Sequence, residues 1–145
     1  MRGGITAPEL ADLELAYAPP FGSAKDPVNM LGYVAENVVS GLSKVAQWHE
    51  IDEYRENGYE LLDVRSVEEC GRGIIPGAIN IPVDEIRARY SELTNKNLLV
   101  NCQVGLRGHT GSMLLKELGF NAVNLDGGYL TWINSPAGQT IEIMN

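Results

Sequence analysis

From about Val45 onward, short apolar runs alternate with stretches whose apolar residues recur at helical spacing. The apolar runs predict strands near 44–48, 60–64, 79–81, 98–102 and 122–125. Between them the pattern predicts helices near 51–57, 66–71, 83–90, 108–118 and 128–134. Punctuation supports these limits. Gly58 closes the first helix, and Ser66 caps the second with Glu69 at its third position. A turn over 94–97 precedes the central strand, and Gly119 supplies a left-handed cap to the helix that follows it. In that helix Gly111, Leu114, Leu115 and Leu118 share one face. Strands alternating with helices imply an α/β domain with a parallel sheet of about five strands, covered by helices on both faces. In such sheets the site lies at the carboxyl ends of the strands.

Composition changes near residue 40, which divides the chain into an extension over 1–40 and a domain over 41–145. The extension carries Pro8, Pro19, Pro20 and Pro27, and its apolar residues are too few and too interrupted to close a core. It is expected to pack on something else. Within it, Asp26 as N-cap and Pro27 at the first helical position predict a short helix over 28–39.

The charge balance narrows the partners. A formal net charge of −8 argues against nucleic acid, which wants a basic face, and against an anionic membrane surface. No apolar run approaches the roughly 20 residues of a membrane span, and no secretory segment follows Met1. Two cysteines with no export signal point to a reducing cytoplasm. Cys70, Cys102, His49 and His109 show no zinc-type spacing, so no metal is expected, and no phosphate or dinucleotide loop is present.

The chemistry concentrates at Cys102-Gln-Val-Gly-Leu-Arg107. A thiol ends an apolar strand, sits in a short loop and faces the start of a helix. Loop N–H groups, the positive end of the helix dipole and the Arg107 guanidinium all favour a negative sulfur there. Such a thiol is expected to ionise below its usual value of roughly 8.5 and to act as a nucleophile. Arg107 would bind an anionic donor or organise the loop, since a planar fork suits oxyanions and carbonyls alike. Gln103, Val104, Gly105, Leu106 and Gly108 would contribute mainly backbone N–H groups, with Gly105 in a conformation that other residues resist. Asp63 and Arg65 read as structural supports, Asp63 pairing with a cation or loop N–H and Arg65 bordering the site entrance. Cys70 reads as a half-buried helical thiol rather than a resolving one, and His109 as solvated or capping rather than a general base.

Four ordered motifs resemble the rhodanese domain. Asp63-Val-Arg65 after Leu61-Leu62 resembles its early strand, and Gly73-Ile-Ile-Pro-Gly-Ala-Ile-Asn-Ile-Pro82 its Ile-Pro-Gly-Ala segment. Cys102 to Arg107 resembles its six-residue active loop, and Asp126-Gly-Gly-Tyr-Leu-Thr-Trp132 its terminal Gly-Gly signature. Two positions depart: Ile74 stands where the family usually has histidine, and Gly108 where serine is frequent. The resemblance implies a rhodanese-like fold and a sulfurtransferase that carries sulfane sulfur on Cys102, from thiosulfate, a polysulfide or a persulfide, to a thiol acceptor. Ala11-Asp-Leu-Glu-Leu-Ala-Tyr-Ala-Pro-Pro20 and Ala24-Lys-Asp-Pro-Val-Asn-Met30 resemble the end of the dimerisation domain of coenzyme A-disulfide reductases. Some members of that flavoprotein family end in a rhodanese domain, so a flavoprotein reductase domain is an implied partner. FAD and coenzyme A would belong to that portion, and this chain would hold no cofactor of its own. Tyr17 matches a tyrosine that reaches the partner subunit's site in that family, and no catalytic role is expected of it here. The alternatives are a phosphatase or arsenate reductase using the same loop logic, or a non-catalytic docking module. With four residues between Cys102 and Arg107, the ring suits one sulfur atom better than a tetrahedral phosphate.

Overall fold

The computed structural model describes residues 3–15 and 26–143. Tyr17 lies outside them. The chain divides into two compact units, Met1–Ser43 and Lys44–Asn145.

The first unit is built around helix α1, Pro27–Val39. Its start is the one expected: the Asp26 carboxylate accepts the Val28 N–H at 2.8 Å, and Pro27 occupies the first turn, where no N–H is needed. A 3₁₀ turn, Pro8–Asp12, lies against this helix. The Asn29 amide donates to the carbonyls of Leu10, Ala11 and Leu13 at 3.1, 3.2 and 2.9 Å. Leu10 is 2 % exposed. Where the apolar residues are too sparse to close a core, a polar clamp holds the turn to the helix.

In the second unit five described strands form one sheet in the order β1-β5-β4-β2-β3, with every pair parallel. They are β1 Val45–Ala46, β2 Glu60–Asp63, β3 Ile79–Asn80, β4 Asn97–Asn101 and β5 Asn121–Leu125. The edge strands β1 and β3 are shorter than predicted, because Trp48–Glu50 turns into a 3₁₀ turn after β1 and Pro82 ends β3. Side chains alternate across the sheet. Leu62, Leu98, Val100 and Ala122 enter one core with Ile86 and Leu115. Leu61, Leu99, Val123 and Leu125 enter the other with Ile51, Ile75 and Trp132. The first core is covered by helices α4 (Ile86–Arg89) and α5 (Leu106–Glu117). The second is covered by α2 (Ile51–Glu56) and α6 (Gly128–Ile133). Complete burial of a leucine such as Leu115 contributes about 1.5–3 kcal/mol.

The stretch 83–90 is a 3₁₀ turn, a single α turn and a second 3₁₀ turn rather than one helix. A terminal helix α7, Pro136–Ile143, follows α6 and was not foreseen. Its signal was present in Ser135-Pro136, the same cap-then-proline signature as Asp26-Pro27, and Ser135 Oγ accepts the Gly138 N–H at 3.4 Å.

The strand order sets the site. From β2 the chain moves outward to β3, and from β4 it moves the opposite way to β5. The crevice outside the carboxyl ends of β2 and β4 is thus the switch point at which open parallel sheets bind ligands. Asp63 and Asn101 are register partners there, and Cys102 is the next residue.

Candidate functional site

Strand β4 delivers the thiol. Leu98, Leu99 and Val100 are fully buried, and Cys102, just past the strand, is 1 % exposed. The chain then turns through Gly105, whose φ of +107° lies in the region that a side chain resists. Helix α5 begins immediately, because the Gly105 carbonyl accepts the His109 N–H at 2.8 Å. The helix therefore starts at Leu106, not near Gly108 as expected, and Arg107 sits inside its first turn. Glycine at the cap gives none of the side-chain signal that Ser66 gave. The Gly105 N–H donates to Cys102 Sγ at 3.1 Å. Among the described residues this is the loop amide bonded to sulfur, where a fuller ring was expected.

The loop carbonyls are held from outside. Cys102 O accepts the Tyr129 N–H at 2.7 Å, and Gln103 O accepts the Leu130 N–H at 3.1 Å. Both donors belong to the first turn of α6, where N–H groups have no helical partner. Gly128 makes this approach feasible, since a Cβ there would collide with the Cys102 carbonyl oxygen. The terminal Gly-Gly motif is thereby a backbone clamp on the Cys102 loop, a role its sequence did not disclose.

Beneath the loop lies a buried ion pair. Arg65 is 2 % exposed and Asp63 0 %. Arg65 Nε reaches both Asp63 oxygens at 3.0 and 3.1 Å, and Nη2 donates to Oδ2 at 2.7 Å. Asn101 Nδ2 and the Arg65 N–H also donate to that carboxylate. The guanidinium stacks 4.0 Å from the Tyr129 ring centre and donates to Gly73 O at 2.8 Å. Its Nη1 donates to Gln103 Oε1 at 3.2 Å. Asp63 pairs as expected. Arg65 does not border an entrance; it braces the loop from below. Gln103 is corrected with it, because its side chain is an anchor and its contribution is not the backbone alone. Val104 and Leu106, by contrast, project outward with 59 % and 72 % exposure.

Arg107 has a partner the sequence did not reveal. Its Nη1 and Nη2 each donate at 2.7 Å to Glu69, on helix α3, Val67–Cys70. Glu69 also accepts the Ser66 N–H at 3.0 Å, completing the expected capping box. The Arg107 bond first, and the Ser66 N–H second, hold the Glu69 carboxyl down to about 2. The same bond raises Arg107 above its ordinary value, and charge interaction with Cys102 adds to the rise. Cys70 is half-buried, and burial first, with the Asp63 charge second, pushes its thiol up to about 11. A thiol that holds its proton so firmly is a poor resolving nucleophile.

Glycine at position 108 has a local reason. A Cβ there would run into Asn124 Oδ1. Asn124 lies under the loop at 5 % exposure, so glycine at one position and asparagine at the other fit together. No metal-holding group of His, Cys, Asp or Glu occurs among the described residues, and no described helix is long and apolar enough to cross a membrane.

Comparison with known proteins bears on the family and the fold. The rhodanese-like domain family matches residues 47–135. Human thiosulfate:glutathione sulfurtransferase is 39 % identical over 89 residues, covering 50 % of this chain and 77 % of that protein. The crystal structure of reduced Bacillus anthracis CoADR-RHD is 47 % identical with a TM-score of 0.85, over 91 % of this chain and 24 % of that one. A NAD-dependent persulfide reductase from A. fulgidus is 39 % identical with a TM-score of 0.77, over 90 % of this chain and 23 % of that one. This chain therefore spans about a quarter of each of those two structures.

Proposed function

Because this chain belongs to the rhodanese-like domain family, we propose that it is a sulfurtransferase in which Cys102 carries one sulfane sulfur atom from a donor to a thiol. The observation that carries the reading is the Gly105 N–H directed at Cys102 Sγ, in a loop whose carbonyls are held away by α6. The Cys102 thiolate attacks the outer sulfur of the donor. An S–S bond forms as the donor's own bond to that sulfur breaks, and the electron pair leaves with the remainder of the donor. The terminal sulfur of the resulting persulfide sits where the loop amide and the start of α5 favour negative charge. An acceptor thiolate then attacks that terminal sulfur, which releases Cys102 as the leaving thiolate. Two displacements replace one exchange between substrates, with no net oxidation. Arg107 and Gly105 organise the loop, with Gln103, Val104, Leu106 and Gly108 completing it, while Asp63 and Arg65 support it from below.

Donors of the right class are thiosulfate, polysulfides and low-molecular-weight persulfides. The reach of the two reductase likenesses into residues before Lys44 supports a role as the C-terminal part of a flavin-dependent coenzyme A-disulfide or persulfide reductase. FAD and coenzyme A would then be held by the flavoprotein portion. The transfer step itself asks for no cofactor.

The test is direct. The protein is incubated with thiosulfate, polysulfide or an organic persulfide, and its intact mass is measured. A gain of one sulfur, lost in Cys102→Ser and kept in Cys70→Ser, is expected. Turnover of an aryl phosphate without any sulfur gain would overturn the assignment in favour of a phosphatase.

A further inference from the structure

Two guanidinium groups beside the Cys102 loop, those of Arg107 and Arg65, are already matched. Arg107 gives both of its terminal nitrogens to Glu69 at 2.7 Å, in a side-by-side pair with side chains 38 % and 27 % exposed. Arg65, the other guanidinium beneath the loop, is closed in and committed to Asp63, Gly73 and Gln103. Glu69 is itself fixed, because its carboxylate also accepts the Ser66 N–H of the capping box. A small dianion approaching Cys102 thus meets a carboxylate beside the loop arginine. Outward side chains on the loop and on the helix that clamps it are apolar: Val104, Leu106 and, at 43 % exposure, Leu130, whose N–H holds the Gln103 carbonyl. An uncharged carbon chain can rest on such a rim, whereas a hydrated oxyanion gains nothing from it.

We propose that Glu69 sets donor choice: by occupying Arg107 it disfavours thiosulfate and leaves organic persulfides, with an uncharged carbon chain lying on Val104, Leu106 and Leu130, as the donors this site prefers. This rests on the sulfur-transfer reading above. Glu69 is a positioning residue in this scheme, acting through Arg107 and never touching the moving sulfur.

Glu69→Gln is the informative change. Glutamine keeps an oxygen for the Ser66 N–H, so the capping box survives while the charge is removed. Sulfur loading on Cys102 is followed by mass in the full chain, with thiosulfate and with N-acetylcysteamine persulfide as probes. In the wild type the persulfide is expected to load faster. In Glu69→Gln the ratio of the two rates should shift toward thiosulfate by about tenfold or more, the scale expected when a unit charge at ion-pair distance is removed. The shift should vanish in the double variant Glu69→Gln/Arg107→Gln and shrink as salt is raised. An unchanged ratio in Glu69→Gln, or a loss common to both donors that tracks a fall in melting temperature, overturns the proposal while leaving sulfur transfer intact. If neither donor loads Cys102 in the wild type, the sulfur-transfer reading falls, and this proposal with it.

Discussion

Replacing Gly128 by alanine tests the clamp that α6 places on the Cys102 loop. Gly128 has φ +57°, and a Cβ there would overlap the Cys102 carbonyl oxygen and stand 3.0 Å from the carbonyl carbons of Cys102 and Gln103. These are backbone atoms, so no rotamer change relieves the clash. The left-handed conformation alone costs a residue other than glycine about 1–2 kcal/mol. Drawing α6 away to remove the overlap breaks the Tyr129 and Leu130 hydrogen bonds, each worth roughly 0.5–1.5 kcal/mol net. Together these give a destabilisation of about 2–5 kcal/mol for Gly128→Ala. The assay is urea unfolding, read as a lower midpoint with an unchanged slope, alongside the rate of sulfur loading on Cys102. Gly58→Ala is the control: Gly58 has φ +79° but nothing within 4 Å of an added Cβ, so it pays the conformational cost alone. The reasoning is refuted if Gly128→Ala loses no more stability than Gly58→Ala and loads sulfur at the wild-type rate.

Other changes probe the supports one at a time. Arg65→Met leaves the Asp63 carboxylate buried without its cation and should cost about 3–5 kcal/mol in chemical denaturation, the penalty typical of a broken buried pair. Gly108→Ser should cost about 1–3 kcal/mol, and Gly108→Ser/Asn124→Ala should cost measurably less than the sum of its single changes in a double-mutant cycle. The Glu69 carboxyl is depressed from an ordinary 4.5 to about 2, so the stability it contributes is fully present above pH 4.5 and lost as pH falls through about 2. The melting-temperature difference between wild type and Glu69→Gln should accordingly be constant near neutrality and disappear toward pH 2. In Cys102→Ser, alkylation of Cys70 by iodoacetamide should be slow near neutral pH and accelerate as pH rises toward about 11.

Much of this fold was legible because its signals are local. The alternation of Leu61-Leu62 and Leu98-Leu99-Val100 between the two cores, the Ser66–Glu69 box and the Asp26-Pro27 start are all written within a few residues of one another. The thiol was legible for the same reason, and so was a cation for Asp63, although the sequence reading set Arg65 at the entrance and did not name it as that cation. What escaped reading is set by tertiary contact. Arg107 and Glu69 stand 38 residues apart, and no pattern within either segment names the other. Gly128 looks like any glycine until Cys102 is placed against it, and Asn124 until Gly108 is. The start of α5 was misplaced because glycine, unlike serine or aspartate, caps a helix without a side-chain mark.

The fastening of the loop to α6 uses only groups that nearly every amino acid carries: two carbonyls and two amides. Such a mount is indifferent to what the loop displays. Val104 and Leu106 take no part in that mount, so this architecture separates the holding of the Cys102 loop from what its outer face presents. Swapping either outer side chain would repaint that face and leave both fastenings in place.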